Sequence, residues 1–129
     1  MATIQRFEDL DIWKSARLLC KDVRKVTTVG EFAKDFRFKS QIESASGSIM
    51  DNIAEGFERD GNKEFIQFLI ISKGSCGEVR SQLYRAFDYE YISENESEIL
   101  RDKALQLSQS ISNFIKYLRN SDFKGNRFK

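Results

Sequence analysis

Apolar residues recur along this chain at steps of three and four in four long stretches, with polar and charged residues filling the positions between. In the first stretch Ile12, Trp13, Ala16, Leu19, Cys20, Val23 and Val26 share one broad arc, the mark of a helix that buries one side. Ile42, Ala45, Ile49, Ile53 and Phe57 form a second such stripe. Phe65, Phe68, Leu69, Val79, Leu83, Ala86 and Phe87 form a third, and Ile99, Leu100, Leu107, Ile111, Phe114, Ile115 and Leu118 a fourth. Punctuation sets the boundaries: Thr27, Thr28 and Gly30 end the first pattern, Asp60-Gly61-Asn62 is a turn in which Asn62 can cap the third helix, and Ser93 with Glu96 makes a capping box. The spacing predicts helices over about 9–28, 37–59, 63–91 and 95–119, followed by a flexible tail over 120–129. Short connections make consecutive helices antiparallel neighbours. The expected fold is therefore all-α, one domain over residues 1–129 built as an antiparallel up-and-down four-helix bundle.

Composition narrows the chemistry mostly through what is missing. With no Pro in 129 residues, nothing interrupts the helical pattern. With no His, the commonest general base and the usual transition-metal ligand are gone, together with every Ser-His or Cys-His nucleophile. Cys20 and Cys76 both fall inside helical patterns and read as free thiols in a reducing compartment. Met1 to Asp9 carries no basic segment leading into an apolar run, and no stretch approaches the roughly 18 apolar residues of a bilayer span, so a cytoplasmic protein without a membrane partner is expected. Lys and Arg total 21 against 20 Asp and Glu, leaving no long-range bias toward a polyanion. Any such site must be local.

Four constellations carry whatever chemistry there is. Ser48, Asn52, Glu55 and Arg59 recur at steps of four, three and four and form a polar line beside the apolar stripe of the second helix. The expected role is a buried network that fixes helix register, since acid–base catalysis would need a partner group and a cleft. Glu43, Glu55, Glu58, Glu64 and Glu78 lack the Glu-x-x-His motifs of dimetal bundles, so neither a metal, a cofactor nor catalysis is expected. Lys14, Arg17, Lys21 and Arg24 make a positive line along the first helix, which is either a solvated face or a row of phosphate contacts. Lys124, Arg127 and Lys129, interleaved with Phe123 and Phe128, suit single-stranded nucleic acid or are a frayed terminus. Ser72, Gly74, Ser75 and Gly77 interrupt the third helix, where each Gly costs about 1 kcal/mol relative to Ala. Close approach of another helix backbone is the expected compensation, a kink the alternative. Leu18, Ile70, Tyr84 and Tyr91 fall off the inward stripes and suit an interface.

The run Phe7-x-x-Leu10-x-Ile12-Trp13-Lys14-x-Ala16, the segment Ser48-Ile49-x-x-Asn52-Ile53-Ala54-Glu55-Gly56, and Glu64-Phe65-x-x-Phe68-Leu69 with Ser72, Gly74-Ser75 and Glu78 occur in this order. This combination resembles the four-helix-bundle proteins associated with intervening sequences of bacterial 23S ribosomal RNA genes, over about residues 7 to 119. The resemblance implies a small cytoplasmic bundle that assembles into a homopentameric ring. It extends more distantly to the accessory proteins of diversity-generating retroelements, which use such a ring to bind nucleic acid and a reverse transcriptase. The expected protein is a non-enzymatic homo-oligomer that binds RNA or a nucleoprotein partner, with a structural or protein-partner scaffold as the alternative.

Overall fold

A computed structural model of the protein describes residues 4–120. Four helices account for most of it: α1 (Asp11–Thr27), α2 (Phe36–Glu58), α3 (Asn62–Asp88) and α4 (Glu94–Arg119), with 3₁₀ turns at Phe7–Asp9 and Phe32–Lys34. The described residues include no strand.

Local chemistry explains where the helices begin and end. The Asp35 carboxylate accepts the Phe38 N–H at 3.2 Å and caps α2. Ser93 and Glu96 form the expected capping box on α4, the Ser93 N–H donating to Glu96 Oε1 at 2.8 Å and the Glu96 N–H to Ser93 Oγ at 3.0 Å. At the start of α3 the cap is not Asn62. Gly61, at φ 91°, occupies the cap position because the chain there needs a left-handed backbone, and Asn62 lies in the first turn, its amide donating to the Leu118 carbonyl at 3.2 Å. The expected helix 63–91 stops at Asp88, where the chain turns through Glu90 at φ 62°.

One core runs through the four helices. Ala16, Val23, Ile42, Ile49, Ile53, Phe57, Phe65, Leu69, Val79, Leu83 and Ile111 are fully buried, each of the larger side chains adding about 1.5–3 kcal/mol relative to exposure. Helix α2 packs between α1 and α3, and α4 packs on α3 and α1. Gly56 marks the tightest point. A Cβ there would lie 2.6 Å from Phe68 Cβ and 3.0 Å from Phe65 Cδ1.

Three apolar assignments differ from the pattern. Ile99, counted in the fourth stripe, is 46% exposed. Phe87 sits one residue step round from the fully buried Ala86 and turns out to solvent, 38% exposed. Tyr91, expected off the core, instead stacks on Phe32 at 5.1 Å and donates its hydroxyl to Asp35 Oδ2 at 2.7 Å. The loop before α2 and the turn after α3 meet at this end of the molecule, which no helical period could reveal.

Candidate interaction surfaces

The polar line of α2 divides in two. At one end Ser48 and Asn52 are half-buried against α3, with Asn52 Nδ2 donating to the Ser48 carbonyl at 2.8 Å and to Ser48 Oγ at 2.9 Å, and Ser75 Oγ donating to Ser48 Oγ at 3.1 Å. Beside it the buried Ser72 hydroxyl donates to the Ile49 carbonyl at 2.7 Å. At the other end Glu55 and Arg59 are exposed and pair with each other at 2.9 Å, the Arg59 guanidinium lying 5.1 Å from the centre of the Phe68 ring. The expectation of one buried network over all four residues is thereby corrected. Helical angle places Glu55 and Arg59 on the same line as Ser48, but at that end both side chains stay in solvent, Arg59 lying across the Phe68 ring of α3.

The positive line of α1 is also uneven. Lys14, Arg17 and Lys21 are exposed, none meets a carboxylate among the described residues, and Arg17 lies 5.7 Å from the Trp13 ring centre. Arg24 is engaged instead, donating through Nη1 to both oxygens of Glu43 at 2.9 and 3.0 Å. Glu43 also receives the Thr27 hydroxyl at 2.5 Å and Lys39 Nζ. Burial pushes the Glu43 carboxyl up, but the Thr27 hydroxyl, Lys39 and Arg24 outweigh it and hold the group below the usual range. Lys124, Arg127 and Lys129 lie outside the described residues.

Between α2 and α3 an open groove of about 660 Å³ faces outward. Its walls are small and polar: Ser40, Ser44 and Ser48 on one helix, Ser75, Ser81 and Gln82 on the other, with Glu78 and Arg85 among them. Gln82 is 4% exposed; its Nε2 donates to Glu78 Oε2 at 3.4 Å, and its buried Oε1 has no hydrogen-bond partner among the described residues. Arg85 is held aside over the Phe38 ring, 4.2 Å from its centre. The glycines expected to admit another helix open onto this side and not onto the core. A Cβ at Gly47, Gly74 or Gly77 would meet nothing within 4 Å. Of the small residues in mid-α3, only Ser72 and Ser75 touch α2. Sequence reasoning missed Gln82, because an amide at a core-facing position carries no periodic signal of its own.

These surfaces present hydroxyls, an amide, carboxylates and cations on open faces. Among the described residues no three His, Cys, Asp or Glu side chains gather as a metal site, and no helix is long and apolar enough to cross a membrane. Cys76 is buried, which pushes its thiol up to about 12 and leaves no reactive thiolate near neutral pH. The fold is similar to the crystal structure of a protein of unknown function from the S23 ribosomal protein family of Bacteroides thetaiotaomicron. The two share 20% identity at a TM-score of 0.74, over 81% of this chain and 98% of the other. No curated protein matches the chain. The model of the 23S rRNA-intervening sequence protein family matches residues 8–113, which include α1, α2, α3 and most of α4. The chain belongs to that family.

Proposed function

We propose that the protein is a non-enzymatic assembly module: an antiparallel up-and-down bundle that forms a homo-oligomeric ring and through it presents a surface to a partner. The order of contacts along the helices supports the antiparallel arrangement. Cys20 meets Ser46 while Thr27 meets Glu43, and Ser48 meets Ser75 while Phe57 meets Phe65. The observation that carries the assembly reading is apolar surface left uncovered by one chain: Leu18 is 58% exposed, Ile71 51%, Tyr84 51% and Ile70 49%. Such side chains suit an interface core. Light scattering coupled to size exclusion should give a mass several times 15.0 kDa. The protomer mass at micromolar concentration would overturn the reading.

A second reading, in which the protein binds RNA or a nucleoprotein, is favoured by the exposed cations Lys14, Arg17 and Lys21 on α1, which meet no carboxylate among the described residues. Contacts to phosphate position a chain without reading its bases, so such binding would be weakly sequence-selective and steeply salt-dependent. Anisotropy of a labelled single-stranded RNA across a salt series measures the slope. Changing the three cations to Gln should flatten it, and equal slopes would remove α1 from this reading.

A further inference from the structure

The α2–α3 face combines three observations that the bundle itself leaves unused. Gly47, Gly74 and Gly77 lie in helix interiors, where each weakens the helix relative to Ala, and a Cβ at any of them would meet nothing within 4 Å. Gln82, which lines the groove beside the Glu78 carboxylate, has a buried Oε1 that receives no donor among the described residues. Asp51 and Glu78 are exposed and have no cationic partner among the described residues. A small-residue surface admits a helix backbone closely. An orphan amide oxygen next to a carboxylate asks for a cationic N–H donor, because a buried acceptor left unsatisfied keeps its desolvation cost uncompensated.

The complementary surface is on this same chain. Helix α1 carries Lys14, Arg17 and Lys21 without carboxylate partners, arranged around Leu18, the most exposed Leu of the described residues. We infer that the α2–α3 face docks the α1 face of a second copy of this chain, with Leu18 set over Gly74 and Gly77 and a cation from α1 received by Gln82 Oε1 and Glu78. This rests on the homo-oligomeric reading above and assigns its two faces. An α2–α3 face would not serve the same role against itself, since Glu78 and Asp51 would then meet their own kind. The contact is head-to-tail.

Mass by light scattering tests the assignment on the full chain at several micromolar concentrations, with far-ultraviolet circular dichroism to confirm that each variant is folded. Glu78→Lys should raise the dissociation constant at least tenfold, and so should the triple change of Lys14, Arg17 and Lys21 to Glu. The protein carrying all four changes should regain the parent mass, because the charges are then exchanged across the contact. Gly74→Leu with Gly77→Leu should dissociate the assembly while leaving the helix content intact. Parent mass in every variant would overturn the inference while leaving the homo-oligomer standing, whereas a monomeric parent protein would overturn both. Failure of the fourfold variant to reassemble would overturn the pairing of α1 with Glu78. Loss of RNA binding on α1 reversal, with mass unchanged, would instead assign those cations to nucleic acid and overturn the docking.

Discussion

Gly56 and the pair Gly74 and Gly77 occupy the same two-helix layer, yet their surroundings are opposite. At Gly56 the missing Cβ is what lets α2 and α3 meet, with Phe68 Cβ 2.6 Å from where it would be. At Gly74 and Gly77 the missing Cβ serves no contact inside the chain. A glycine in a helix can thus record an approach within the protomer or an approach from outside it, and only the neighbours distinguish the two. The first belongs to folding energetics. The second belongs to association.

Substitution at each site sharpens that contrast, and the largest effect is expected at Gly56. Gly56→Ala gains helix propensity but forces Phe68 and Phe65 apart; overpacking of this kind destabilises by about 1–3 kcal/mol. A thermal melt should fall by several degrees. An unchanged melting temperature would mean that α2 and α3 slide freely at this point, and the contrast would collapse.

Next in size is Ser72→Ala, which removes the buried hydroxyl bond to the Ile49 carbonyl. A loss of about 0.5–1.5 kcal/mol is expected from denaturant titration, placing the inward half of the small-residue cluster with Gly56. Gly74→Ala and Gly77→Ala should move the other way. Measured on dissociated protomer at high dilution, each should raise stability by up to about 1 kcal/mol through helix propensity alone, and a loss there would show that these positions are packed after all.

Smaller again is the contribution of Glu43, which depends on pH. Its folded pKa is held down, so the stability it adds is present above the ordinary carboxylate value and is lost as pH falls through the folded one. Melts from pH 7 to 3 should show Glu43→Gln less stable than the parent at neutral pH, with the gap closing toward acid. A constant gap would mean that the stability lost with Glu43 does not depend on its charge. Least of all is expected from Glu55→Gln: an exposed ion pair contributes roughly 0.2–1 kcal/mol at most, so its melt should barely move, whereas Asn52→Leu should destabilise by leaving Ser48 without the amide that donates to its carbonyl and its hydroxyl.

Helical period carried most of the architecture. The four stripes, the capping box of Ser93 and Glu96, and the placement of Ser48 and Ser72 toward a neighbour were all legible, because each depends on residues within a turn or two of one another. What escaped the sequence depends on distance across the fold. The angle that groups Glu55 with Ser48 is the same whether a side chain there is covered or left in solvent. Likewise the angle that places Gly74 on α3 does not say whether its side faces a helix or water. Gln82, whose orphan oxygen defines the groove, is indistinguishable by spacing from a satisfied core amide.

The Asp35 carboxylate holds the N–H of Phe38 with one oxygen and the Tyr91 hydroxyl with the other, and these bonds, the Tyr91 hydroxyl first, keep it ionised below the usual range. One residue thereby joins the first turn of α2 to a turn 56 positions further along. Opening the α3–α4 turn would strip that cap of a partner, so the beginning of α2 and the end of α3 should exchange their amide hydrogens as one cooperative unit. Protection at the Phe38 amide becomes a reporter on a segment with which it shares no helix.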